Sequence, residues 1–149
     1  MSLKRALYNF CETFIRDRSV RILDNIASLE QDLSSETKSS AGDKHETGRA
    51  MIQLEREKLG DQLAEVQLLR ERFKKVPLIT TTDRVGLGSV VYTTGHNYYL
   101  GISAGKIKAD GLTFYAIAAD TPIGKLLLGK TVGEGVVFNG NEFWIREIE

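Results

Sequence analysis

The sequence predicts an α+β protein: an N-terminal antiparallel helical hairpin of coiled-coil type, then a small antiparallel sheet domain with one short helix. Three observations predict it. Residues 3–33 and 43–75 carry apolar stripes at helical spacing, and from residue 77 the pattern changes to short β-rich runs separated by glycine. Between the stripes lies a polar break at 34–49, SSETKSSAGDKHETGR. The expected division is a hairpin over 1–76, with an acidic tip near 34–49, and a sheet domain over 77–149.

The first helix has no Pro or Gly between residues 3 and 33. Leu3, Leu7, Phe10 and Phe14 recur at spacings of four, three and four. After a one-residue slip, Ile15, Ile22, Ile26, Leu29 and Leu33 continue the stripe. A helix of roughly 30 residues is about 45 Å long, too long for a small core, so coiled-coil packing is the natural cover for its stripe. Cys11 sits among apolar residues and reads as a packing residue.

The second helix places Ile52, Leu59, Val66 and Phe73 seven apart, with Leu63 and Leu69 between them. Two stripes of matching length most simply pair with each other, which makes the expected state a monomer. Pairing between two copies, as in a dimeric adaptor, is the alternative. Gly60, within the second helix, marks either close packing or a bend. Asp43 is suited to cap this helix, with Glu46 three positions on in a capping-box-like arrangement. Spacing alone leaves open whether these acids cap or have a further role.

In the second half, strands are expected at 89–93, 98–102, 112–118, 135–138 and 142–148. Asn139-Gly140 is the hairpin turn between the last two. Residues 122–128 (PIGKLLL) form a short helix, with Pro near its start and Gly129 ending it. Tyr98, Tyr99, Tyr115 and Trp144 are either a binding surface on this sheet or strand formers and core.

Composition narrows the function. Lys+Arg 20 against Asp+Glu 20 gives zero formal net charge, which argues against a general nucleic-acid binder dependent on many phosphate contacts. A single cysteine excludes an intramolecular disulfide framework. No apolar run approaches the roughly 20 residues of a membrane span, and residues 1–10 lack a signal-peptide core. No membrane contact is expected, and the location expected is cytoplasmic.

Residues 124–131, GKLLLGKT, match a phosphate-binding loop literally. The match is rejected, because three leucines fill the loop and a strand, not a helix, follows it. His45 and His96 lack cysteine partners, so a zinc site is unsupported. No nucleophile–base arrangement is present. Arg70, Arg72, Lys74 and Lys75 are a solvated basic face, or a site for an acidic protein partner or passing RNA.

Three segments carry a resemblance: residues 85–91 (VGLGSVV), residues 120–137 (DTPIGKLLLGKTVGEGVV) and residues 42–46 (GDKHE). Together with the order of hairpin, tip and sheet domain, they resemble the Gre family of bacterial transcript-cleavage and elongation factors. The resemblance implies an FKBP-like C-terminal domain that docks at the mouth of the RNA polymerase secondary channel. Asp120, Pro122, Ile123, Gly124, Leu127 and Gly129 are the implied docking residues. The coiled coil would enter the channel, and Asp43 and Glu46 would help hold a Mg2+ and water at the polymerase's own active site. RNA polymerase is then the partner, with nascent RNA within reach. No cofactor would be tightly bound, and the chain would be no enzyme alone.

After Glu46 the family continues Asn-Ala-Glu-Tyr, whereas this chain has Thr47, Gly48, Arg49 and Ala50. Arg49, placed to pair with Asp43 or Glu46 and to compete with metal, is together with His45 a modulator of the tip. It admits a paralogue that occupies the channel without stimulating cleavage. A peptidyl-prolyl isomerase or chaperone on the FKBP-like fold is a further alternative, although the sequence shows no aromatic pocket for it.

Overall fold

The computed structural model describes residues 2–37, 42–80 and 83–149, with the side chains of 36–37 and 42–46 outside that description. Two long helices, α1 (Leu3–Thr37) and α2 (Gly42–Phe73), precede six strands and a third helix. The strands are β1 (Val90–Thr93), β2 (Asn97–Gly101), β3 (Gly105–Ala109), β4 (Leu112–Ala118), β5 (Gly135–Phe138) and β6 (Asn141–Ile148), with α3 (Pro122–Leu127) between β4 and β5. The protein is α+β, as the sequence predicts. The helices also take up most of the expected 34–49 break.

The chain divides into two compact units, Met1–Phe14 with Glu71–Glu149, and Ile15–Arg70. This division crosses both long helices instead of falling at the expected boundary between residues 76 and 77. The physical reason lies at the helix ends. Leu7 and Cys11 of α1 are fully buried in the first unit, where Cys11 and Tyr8 stand beside the Tyr99 ring of β2. Tyr8 also stacks on Phe73, with ring centroids 4.7 Å apart.

Within the unit Ile15–Arg70, Ile15, Ser19, Ile22, Leu59 and Val66 are buried, and Ile26, Leu29, Leu33, Ile52, Leu63 and Leu69 are half-buried. From Ile15 these α1 positions alternate by four and three, the repeat that keeps one seam toward a partner helix. Arg70 Nη2 donates to Ser19 Oγ at 3.0 Å, and Arg56 Nη2 lies 2.9 Å from Glu30 Oε1. Moving forward along α1 therefore moves backward along α2, and the two stripes meet antiparallel within one chain. The Arg56–Glu30 pair is exposed and worth little on its own, so the apolar seam holds the hairpin.

Two details differ from expectation. Phe10 is 39% exposed, and the stripe runs through Cys11 instead, so it needs no slip at Phe14. Gly60 is exposed, and a Cβ there would meet nothing within 4 Å, so close packing does not explain it.

The six-stranded sheet has the order β3-β4-β2-β1-β6-β5. It is mixed, not wholly antiparallel, because β2 and β4 run parallel, Asn97 opposite Phe114 through Gly101 opposite Ala118. The cause is β3, which the sequence reading missed. The chain passes from β2 to the far edge, forms β3, and returns as β4 between them. Only Ile107 of β3 is buried, so GKIKA gave little apolar signal. The signal that could have found it is Asp110-Gly111. Both have positive φ, 52° and 72°, as in the two-residue hairpin turn that also joins β5 to β6 at Asn139 (54°) and Gly140 (78°).

Val85, Val91, Tyr98, Leu100, Ile123, Leu127, Val136, Phe143 and Ile145 form the core between the sheet and α3. Successive strand residues point to opposite faces, which sends Tyr99 away from Tyr98 and toward α1.

Candidate docking face and hairpin tip

The segment preceding α3 is held by Thr121. Its hydroxyl donates to the Ala118 carbonyl at 2.7 Å and accepts from the Gly124 N–H at 3.1 Å, the side-chain cap of the helix. Pro122 follows at the first helical position, where its missing N–H costs nothing. The Leu128 N–H closes the helix on the Gly124 carbonyl at 3.0 Å, and Gly129 leaves it at φ 81°. Backbone bonds join this exit to the 85–91 segment: Gly129 N–H to Val85 O at 2.8 Å and Val85 N–H to Lys130 O at 2.9 Å. Arg84 Nη1 also donates to the Gly129 carbonyl at 3.2 Å. The two C-terminal segments singled out in the sequence are thus one structural piece.

The rejected phosphate loop is accounted for by the same geometry. Residues 124–127 are helical, and after Thr131 the chain turns into β5. Thr131 is held by Glu134, whose carboxylate accepts from its backbone N–H at 2.6 Å and its hydroxyl at 3.2 Å. The Thr131 N–H holds the Glu134 carboxyl below the usual range, with its hydroxyl and Lys130 and Arg84 acting the same way.

The residues expected to dock separate into two groups. Ile123, Gly124 and Leu127 are buried in the core and set the shape of α3. Asp120, Pro122 and Gly129 are exposed, and so are Lys125, Leu126 and Leu128, which sequence reasoning did not single out. A face for a partner would consist of this second set. Helical periodicity over six residues is too short to tell the two sides apart. Beside it is a cleft of about 250 Å³ lined by Arg72, Lys75, Leu87, Gly101, Ala118, Ala119 and Asp120. Arg72 Nη1 lies 3.7 Å from Asp120 Oδ2, and both side chains are more than half exposed.

At the other end of the helices, Asp43, His45, Glu46 and Arg49 fall in the first turns of α2. The side chains of Asp43, His45 and Glu46 lie outside the described residues, and Arg49 is exposed. Any pairing of Arg49 with the two acids, and the capping expected of Asp43, also lies outside them. Among the described residues no three His, Cys, Asp or Glu side chains converge as a metal site. Also among the described residues, no helix is long and apolar enough to cross a membrane.

The tyrosines singled out in the sequence are separated by strand alternation. Tyr98 lines a cleft of about 350 Å³ with His96, Phe138 and Phe143, an aromatic-walled site that the sequence did not show. Tyr115 flanks it, its ring centroid 5.0 Å from that of His96. Tyr99 is buried on the opposite face, and Trp144 lies exposed above Gly135.

No family model matches the chain, and neither does any curated protein. Solved structures do. The chain is similar to a structure of the transcription factor Gfh1 at 18% identity and TM-score 0.36, over 89% of this chain and 93% of that one. It is likewise similar to the crystal structure of GreA factor homolog 1 (Gfh1) of Thermus thermophilus, at 22% identity and TM-score 0.35, over 88% of this chain and 94% of that one.

Proposed function

We propose that this protein is a Gre-like regulator of transcription elongation. In this reading the sheet-bearing unit docks on RNA polymerase, and the helical hairpin carries Asp43 and Glu46 into the secondary channel. The observation that carries it is the antiparallel pairing of α1 and α2. The Ser19–Arg70 and Glu30–Arg56 contacts support two helices packed antiparallel in one chain, with Asp43 and Glu46 in the first turns of α2. From Arg70 back to Asp43 the helix rises about 40 Å. A rod of that length has no use in covering a core of this size; its use is reach.

Two carboxylates three residues apart supply hard oxygen ligands, the donor type that Mg2+ accepts, and the polymerase would supply the rest of the site. The chain itself would then carry out no reaction, and its role is to present these groups. A second reading is favoured by Arg49, an exposed cation two turns into α2. In that reading the tip occupies the channel and modulates the polymerase without stimulating transcript cleavage.

Stalled elongation complexes test both. Binding of the full chain to core polymerase is expected in either case, and its absence overturns the family-level function. Transcript shortening that is lost in Asp43→Ala and Glu46→Ala supports metal delivery. No shortening with the unaltered chain, together with slowed elongation, supports channel occupancy. The second reading then expects Arg49→Glu to restore some cleavage.

A further inference from the structure

Four cations at the end of α2, Arg70, Arg72, Lys74 and Lys75, stand out in the sequence, and the structure divides them. Arg70 is engaged with Ser19 at 3.0 Å, and Lys74 with Glu71 at 2.8 Å. The remaining two, Arg72 and Lys75, line the same cleft beside α3. Among the described residues Lys75 has no carboxylate within ion-pair distance. Arg72 has one, Asp120, but at 3.7 Å the contact is longer than a hydrogen bond and both groups are open to water. Exposed pairs of this kind contribute little, so the guanidinium is only loosely held.

We propose that Arg72 and Lys75 form a receptor for a single carboxylate side chain of a protein partner. This deepens the docking role proposed above and rests on it, because it names the chemistry that the partner presents beside α3. Two cations face one cleft, while the anion in its lining, Asp120, is already shared with Arg72, so the cleft carries an excess of positive charge. The planar guanidinium matches a carboxylate in two-point fashion, and the lysine adds a mobile point charge. Arg72 exchanges its loose contact with Asp120 for the partner's carboxylate.

The remaining lining is apolar: Leu87 with the small residues Gly101, Ala118 and Ala119. It suits the methylene stem of a Glu or Asp side chain. A nucleic-acid backbone fits less well. Its successive phosphates would meet Asp120, and a chain of zero net charge lacks the many cations on which such binding depends.

The test pairs two measurements on the full chain. In the first, a capped Gly-Glu-Gly peptide is titrated while backbone amide resonances are followed. Saturable shifts are expected at Gly101, Ala118 and Ala119, absent with Gly-Gln-Gly and lost in Arg72→Gln/Lys75→Gln. In the second, binding to core polymerase free of nucleic acid is measured across salt concentrations. The double variant is expected to weaken it at least tenfold and to flatten its salt dependence, while Lys108→Gln on the edge strand β3 leaves it unchanged. Peptide shifts that are absent, or that survive in the double variant, overturn the receptor even if polymerase binds. An effect of the double variant seen only when RNA is present overturns it in favour of phosphate. Peptide binding without polymerase binding overturns the docking role and leaves the receptor standing.

Discussion

Gly124 lies so close to Ala118 that a Cβ on it would stand 2.1 Å from the Ala118 carbonyl oxygen. The same carbonyl accepts from the Thr121 hydroxyl, so it cannot swing aside without releasing the cap of α3. Gly124→Ala is therefore expected to destabilise the protein by about 1–3 kcal/mol, the usual cost of overpacking a core. Urea unfolding checks this: the midpoint should fall. An unchanged midpoint would show that the loop before α3 yields freely.

Gly60 is the opposite case. It lies inside α2, is exposed, and has open space where a side chain would go. Gly60→Ala should stabilise by up to about 1 kcal/mol through helix propensity and reduced freedom of the unfolded chain. A raised thermal midpoint is the expected result.

The Tyr99 hydroxyl is buried and has no hydrogen-bond partner among the described residues. A buried hydroxyl without a partner costs about 1–3 kcal/mol in lost hydration. Tyr99→Phe, which removes only that group, should be neutral or stabilising in urea unfolding. A clear loss of stability would reveal a partner such as an ordered water.

Burial pushes the Cys11 thiol from 9.0 up to about 12. Between these values the unfolded chain gives up a proton that the folded chain keeps, so Cys11 contributes stability that declines as pH rises from 9.0 toward 12. Folded protein should resist iodoacetamide at pH 8, reacting only as fast as it opens. Above pH 9, unfolding midpoints should fall less steeply for Cys11→Ala than for the unaltered chain.

What was legible in the sequence is what depends on repetition. Leu59, Val66 and Phe73 recur at seven, and all are buried. Asn139-Gly140 marks a turn because few other pairs accept two positive φ values. What was not legible depends on partners distant in sequence. Cys11, not Phe10, enters the apolar stripe because Tyr99 lies beside it, and nothing local says so. The strand β3 sits at an edge with one buried side chain, so its alternation is nearly silent, and with it went the parallel pairing of β2 and β4. Around α3, the sequence grouped Ile123, Gly124 and Leu127 with Asp120 and Pro122. Short motifs record shape-setting and surface residues alike.

The two compact units have a consequence for how the hairpin can vary. Residues 15–70 are a continuous stretch flanked on both sides by parts of one sheet-bearing unit, which makes the hairpin topologically an insertion. Its length is therefore adjustable. Removing matched seven-residue repeats from both arms would shorten the rod by about 10 Å at each step while preserving the seam. The sheet-bearing unit contains none of these repeats, so the length of the hairpin is set separately from the fold of the sheet.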